Sequence, residues 1–258
     1  MTTNTQDTQK IVLVTGGNRG LGRAMALHLA DAGVDVILTY KAGEASAHDV
    51  VHQIEARGRK AAAIQLDVAD SSTFTTFVER VKALLVQRWN RDRFDFLVNN
   101  AGIGLYGTVA DTSEAQFDEL YRIHVKAPMF LTQRLLPYLE DGARILNVST
   151  GLARFTFPGY GAYAAMKGAV EVLTRYMAQE LGARGITVNV IAPGAIETDF
   201  GGGVVRDNKQ VNQMIASVTA LGRVGLPDDI GAAVRLLLSP DARWITGQRI
   251  EVSGGQSI

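Results

Sequence analysis

Apolar residues along this chain follow two alternating patterns. Short runs of β-branched and aliphatic residues are apolar at nearly every position, and longer stretches carry an apolar residue every three to four positions. The first pattern predicts strands over Ile11–Thr15, Val34–Tyr40, Ala61–Leu66, Phe94–Val98, Arg144–Val148, Ile186–Ile191 and Arg249–Val252. The second predicts helices over about 21–31, 45–56, 71–89, 113–139, 160–181, 207–218 and 228–238. Gly33 and Gly58 close the first two helices, and Pro128 bends the fourth. Strands that are apolar throughout need cover on both faces, so the alternation predicts an α/β fold: a doubly wound, mostly parallel sheet with helices on either side. The expected layout is a polar tail over 1–9 and one domain over 10–258. Gly201-Gly202-Gly203 suggests a lid around 195–220 that can move.

Composition narrows what such a fold does. The 26 basic and 26 acidic residues cancel, which leaves no strong global field for nucleic acid. The first ten residues, MTTNTQDTQK, are polar, and no apolar run approaches the ~18 residues of a membrane span. The chain has no cysteine, which excludes thiol nucleophiles, CxxC redox chemistry and cysteine-based zinc sites. A cytoplasmic protein without nucleic-acid or membrane partners is expected. His48 and His52 share a helix face but have no third ligand, so they read as solvated and no metal is expected. The 27 glycines point to tight turns or to places where a ligand meets backbone.

The first strand runs directly into Thr15-Gly16-Gly17-Asn18-Arg19-Gly20-Leu21-Gly22 and a helix. Glycines there let backbone N–H groups and a helix N-terminus approach a pyrophosphate. The turn resembles the TGxxxGxG motif of the short-chain dehydrogenase/reductase family. Asn99-Asn100-Ala101-Gly102 is similar to the family's NNAG, and Tyr163 with Lys167 to its YxxxK pair. The likeness runs over about 9–255, extends to 3-oxoacyl-carrier-protein reductases, and implies a Rossmann-type dinucleotide-binding catalytic domain. It implies a cofactor held by Gly16, Asn18, Arg19, Gly20, Leu21 and Gly22 of the turn, and by Tyr40 and Lys41 after the second strand. Asp67 and Val68 would meet the adenine. Asn99, Ala101, Gly102, Tyr163, Lys167, Pro193, Gly194, Ile196 and Thr198 would complete the cradle. No acid stands at the end of the second strand, where an NAD enzyme places one for the ribose 2′-OH, whereas Arg19 and Lys41 suit a 2′-phosphate. NADP(H) is the expected cofactor.

Tyr163 and Lys167 lie four residues apart, on one helix face. An ammonium near the phenol favours tyrosinate, with an expected effect of about two pKa units. By resemblance Tyr163 is the general acid for ketone reduction and the base for alcohol oxidation, and Lys167 also holds the nicotinamide ribose. Two supporting positions depart from the family pattern. Its serine, thirteen residues before the tyrosine, is Thr150 here, with Ser149 beside it, and either hydroxyl can donate. Its helix asparagine is His124, whose neutral imidazole can both donate and accept. Leu105, Tyr106, Phe155, Phe157 and Tyr160 can line an apolar pocket or pack loops. The expected function is hydride transfer between NADP(H) and a carbonyl or secondary alcohol, by an oxidoreductase that is a homotetramer by resemblance. The alternative is a non-enzymatic NADP-binding sensor or scaffold.

Overall fold

The computed structural model describes residues 9–258, so all but the last residue of the expected polar tail lies outside the described residues. Seven strands form one parallel sheet: β1 (Ile11–Val14), β2 (Asp35–Tyr40), β3 (Ala61–Gln65), β4 (Phe94–Asn99), β5 (Leu139–Val148), β6 (Thr187–Pro193) and β7 (Arg249–Val252), in the order β3-β2-β1-β4-β5-β6-β7. Helices α1 (Gly20–Asp31), α2 (Glu44–Glu55), α3 (Phe74–Leu84), α4 (Glu114–Tyr121), α5 (Ala127–Leu135), α6 (Gly161–Leu181), α7 (Val204–Asp207), α8 (Lys209–Ser217) and α9 (Pro227–Leu237) connect them. Alternate strand residues serve two cores. Val12, Val14, Val36 and Leu38 pack with Met25 and Leu29 of α1 and Ile230 and Val234 of α9. Ile11, Leu13, Ile37 and Leu97 pack on the opposite face with Phe74 of α3, Leu131 of α5 and Met177 of α6. The strand order reverses between β1 and β4, and a crevice opens there at the carboxyl ends.

Several boundaries differ from the periodicity. The stretch expected as one helix over 113–139 starts from a capping box, in which Ser113 and Gln116 bond reciprocally. It is then interrupted by a π-helical turn at Arg122–Lys126. Pro128 lies in the first turn of α5 and lacks the N–H that a regular helix would send to the carbonyl of residue 124, which accounts for an irregularity one turn upstream. Leu139 already belongs to β5, which begins five residues earlier than expected and pairs irregularly with β4 between Phe94 and Phe96. The helix expected over 71–89 opens with a 3-10 turn and ends in a π turn, and Asn208 caps α8 where continuous helix was expected.

The β1–α1 turn packs closely, backbone against backbone. Gly16 has φ +65°, and a Cβ placed on Gly22 would lie 2.1 Å from the Gly16 carbonyl oxygen. Because that neighbour is backbone, Gly22→Ala has no side chain that can yield. This variant is expected to lower the melting temperature by several degrees and to weaken dinucleotide binding, measured by thermal unfolding with and without NADPH.

Candidate active site

The rim of the crevice is built by polar groups that close on one another. The Thr15 hydroxyl accepts from the backbone N–H groups of Asn100 (2.9 Å) and Ala101 (3.0 Å). The Asn100 amide donates to the carbonyls of Thr15 (2.9 Å) and Gly16 (3.1 Å). Gly16 N–H donates to the Thr39 hydroxyl at 3.1 Å. The Asn18 amide donates to the Ala42 carbonyl and to Ser46, tying the glycine turn to the β2–α2 loop. Thr15, Thr39 and Asn100 were missing from the sequence expectation, since their role depends on which strands are neighbours. The Asn99 amide nitrogen is committed to Asn147 (2.9 Å) and Thr132 (3.1 Å) inside the sheet.

These residues fit a dinucleotide. No side chain caps the first turn of α1, whose N–H groups at Gly20, Leu21 and Gly22 end at the crevice. A Cβ on Gly20 would meet nothing nearer than Thr198, at 3.8 Å. Val68 borders the loop after β3, and Gly102, Pro193, Gly194 and Ile196 follow the ends of β4 and β6. Arg19 is exposed and makes no ion pair among the described residues. Lys41 differs from the expectation of a second free cation: its ammonium pairs with Asp67 at 2.9 Å. Partial burial works against ionisation of Asp67, but Lys41 and the Ala69 N–H hold its carboxyl below the usual range. Glu44 also lies beside the Tyr40 hydroxyl. The end of β2 therefore carries acids in space that the local sequence does not reveal, with Arg80 also near Tyr40, and Arg19 is the uncommitted cation of the glycine turn.

Across the crevice, α6 carries Tyr163 and Lys167, both buried. The Lys167 ammonium lies 5.7 Å from the Tyr163 ring centre and donates to the Val148 carbonyl at 2.7 Å. Burial with no carboxylate partner pushes Lys167 down to about 7. Burial also raises the Tyr163 phenol well above its ordinary value, and the Thr150 hydroxyl beside it only partly offsets this. Desolvation, not the charge of Lys167, sets the direction of the phenol's shift, contrary to the expected acidification, and Tyr163 holds its proton. Ser149 points elsewhere, its hydroxyl donating to Glu171 at 2.6 Å. The two hydroxyls diverge as strand geometry requires, and Thr150 is the one facing Tyr163.

The π turn brings His124 against Tyr163, edge to face at 5.3 Å between ring centres. Its Nε2 lies 2.8 Å from the Ile103 carbonyl and 3.4 Å from the Ile103 N–H, and the much shorter contact, to a group that can only accept, assigns the proton to Nε2. Nδ1 is left buried with no partner. Burial first, and then the charge of Lys167, hold His124 far below its ordinary pKa, so it is neutral.

Aromatic rings continue outward from Tyr163. Tyr160 stands 6.5 Å from Tyr163, and Tyr106 and Phe157 lie 5.8 and 6.1 Å from Tyr160. Phe200, from the segment after β6, lies 5.8 Å from Tyr163 on another side. It passes so close to Gly104 that a Cβ there would sit 2.6 Å from its ring. Tyr106 is 63% and Phe200 44% exposed, so this aromatic wall is open to a ligand. Phe155 does not join it, being packed against Gly151 and under the Arg154 guanidinium. His48 and His52 are on the outer face of α2 near Glu44 and Glu55.

A family model described as enoyl-(acyl carrier protein) reductase matches residues 16–257. The chain is 34% identical over 256 residues to a probable tetrahydroxynaphthalene reductase of Zymoseptoria tritici, covering 95% of this chain and 93% of that protein. It is 35% identical to versicolorin reductase 1 of Aspergillus parasiticus, covering 95% of each. Among solved structures, the angucycline C-6 ketoreductase LanV with bound NADP superposes with a TM-score of 0.92 at 35% identity, covering 97% of both chains. The promiscuous reductase LugOII, which performs keto-reduction at C1 in lugdunomycin biosynthesis, gives 0.92 at 37% identity over 97% of this chain and 99% of that one.

The buried ammonium sets a stability expectation. The unfolded chain keeps the Lys167 proton up to about 10.5, whereas the folded chain releases it near 7. Between those values the unfolded state binds more protons, so stability from this group rises with pH. Lys167→Met should therefore melt higher than wild type at pH 7 without cofactor, by about 2–4 °C per kcal/mol relieved. Its advantage should shrink towards pH 10, as scanning calorimetry across that range would reveal.

Proposed function

Since the chain belongs to the short-chain dehydrogenase/reductase family, we propose that it reduces a ketone carried on a flat, fused-ring aromatic substrate. It is an NADP(H)-dependent oxidoreductase acting between a carbonyl and a secondary alcohol. The observation that carries the substrate reading is the aromatic wall of exposed Tyr106, Phe157 and Phe200 and half-buried Tyr160, leading to Tyr163. Offset and edge contacts with aromatic rings favour a flat π-system over an aliphatic chain. The hydroxynaphthalene named for one relative is such a ring system.

NADPH, when bound, supplies the hydride. The glycine turn and the α1 N-terminus would hold its pyrophosphate, Arg19 would meet the 2′-phosphate, and the loop from Pro193 to Thr198 would border the nicotinamide. Thr150 donates a hydrogen bond to the substrate oxygen as negative charge grows there. Tyr163, which keeps its proton because it is buried, delivers it to that oxygen. Lys167 would orient the ribose and supply positive charge beside the phenol that has lost its proton. His124 offers the bare Nδ1 as an acceptor for a water that returns the proton towards Tyr163 through Lys167. The segment over 195–220 acts as a lid, with Phe200 as the part that touches substrate.

A homotetramer belongs to the same reading. Two sets of the exposed large apolar side chains support this: Phe117, Tyr121, Val172 and Tyr176 on α4 and α6, and Leu236, Trp244 and Ile245 from α9 towards β7. Two separate self-complementary faces are what a dimer of dimers uses. No helix among the described residues is long and apolar enough to cross a membrane. A cytoplasmic location is supported by the cysteine-free sequence.

The deciding assay follows NADPH oxidation with a bicyclic aromatic ketone and an aliphatic 3-oxo thioester side by side. Higher kcat/KM for the aromatic ketone is expected, and preference for the thioester would overturn the substrate reading. With the better substrate, Tyr163→Phe should bind NADPH normally and lose about 10²–10⁴ in kcat. Thr150→Ala should lose about 10²–10³ and Ser149→Ala much less. Wild type should prefer NADPH over NADH by at least about tenfold in kcat/KM, or ~1.4 kcal/mol. Arg19→Ala should erode this through KM, and an unchanged preference would pass the role to Lys41.

A further inference from the structure

Behind the catalytic strand end lies a group of charges that the proposed reaction does not use. Arg249 of β7 donates from Nε to Glu171 at 2.8 Å, from one terminal nitrogen to Glu251 at 2.7 Å, and from the other to the backbone carbonyl of Thr150 at 3.2 Å. Glu171, one helical turn beyond Lys167, also accepts from the Ser149 hydroxyl. The side chains of Glu171, Glu251 and Arg249 are 13%, 17% and 23% exposed, so the cluster is largely dry. Arg154 closes it from outside, with a two-pronged pair to Glu251 and bonds to the carbonyls of Gln256 and Ser257. Arg154, and then Arg249, hold the Glu251 carboxyl down at about 2. The Gln256 side chain in turn accepts from Ala195 N–H at 2.8 Å.

The two strand-end residues are thus gripped on the side away from the cleft. Ser149 is held by its hydroxyl and Thr150 by its carbonyl, which leaves the Thr150 hydroxyl as the group facing Tyr163. A lone peptide at a strand end can rotate, and a fixed guanidinium with planar, diverging donors removes that freedom.

We propose that Arg249 is a positioning residue: by clamping the Thr150 carbonyl and, through Glu171, the Ser149 hydroxyl, it fixes the orientation in which Thr150 donates to the substrate oxygen. This rests on the assignment of Thr150 as that donor. A structural ion pair alone would affect stability but would not be coupled to Thr150 in turnover.

The test is a double-mutant cycle in kcat with saturating NADPH, using Arg249→Met, Arg249→Lys, Thr150→Ala and the Arg249→Met/Thr150→Ala double variant. Arg249→Met is expected to lose about tenfold in kcat, within the range of coupling between contacting residues, with KM for NADPH unchanged. Arg249→Lys should recover only part of that, because one ammonium cannot span three acceptors. In the Thr150→Ala background, Arg249→Met should cost little more. Equal losses in both backgrounds, or a loss confined to KM for NADPH, would overturn the positioning role. If Thr150→Ala alone is harmless, it is the assignment of Thr150 that fails, and that result is read from a different arm. Should Arg249→Met fold poorly, Glu171→Gln supplies the same cycle, since it weakens the anchor while keeping shape; additivity with Thr150→Ala there would equally reject the proposal.

Discussion

One threonine hydroxyl holds together the two strands between which the sheet changes direction. Strands β1 and β4 are neighbours in space but far apart in sequence, and their chains diverge at the carboxyl ends. The Thr15 hydroxyl accepts two N–H groups from the β4 side, and Asn100 answers with its amide across the gap. A parallel sheet leaves the backbone beyond its last pair unpartnered, and buried N–H groups without partners cost about 1–3 kcal/mol each. Satisfying them here also sets the width of the crevice. It fixes Gly16 against Ala101, and with it the start of α1, so the glycine turn and the loop carrying Gly102 face one another at a defined separation. Everything placed on the crevice walls inherits that geometry.

The opposite wall combines groups whose burial is unfavourable taken singly. A lysine beneath a tyrosine, with only a carbonyl for a partner, and a histidine with one bare nitrogen would be poor choices for stability. Their value lies in the reaction, where a proton must be held at neutral pH and a positive charge must be close by. Such a site draws its stability from elsewhere, here from two extensive apolar cores on either face of the sheet. The stability–activity trade-off expected of strained sites is thus located at particular atoms.

Much of this was legible in the chain. Strands buried on both faces must be apolar throughout, which is why β1, β2, β4 and β6 could be read to within a residue or two. The glycine turn and the Tyr163–Lys167 pair are local in sequence, so spacing alone placed them on the right elements. What escaped was non-local. Lys41 looked free because Asp67 is one strand away, and the Glu171–Arg249 pair, 78 positions apart, left no local signal at all. Desolvation was the other gap: sequence spacing gives the distance from Lys167 to Tyr163 but not the dryness that reverses the sign of the phenol's shift. The break in the 113–139 helix was foreseen as a consequence of Pro128 but misplaced, since the strain of a missing donor is relieved a turn upstream.

That π turn has a consequence for how the chain tolerates change in length. A π turn amounts to one residue inserted into an otherwise regular helix, and it rotates the downstream helix by about 100° relative to the upstream one. Deleting a single residue within Arg122–Lys126 would remove the π turn and set Pro128 inside one continuous helix, where its ring and missing N–H have no irregularity to absorb them. It would also carry α5, with Leu131 and Thr132, out of register with the sheet and swing the imidazole away from the phenol. The segment is therefore one where a shortened chain loses both the relief that Pro128 needs and its long-range fit, so its length is constrained more tightly than its composition.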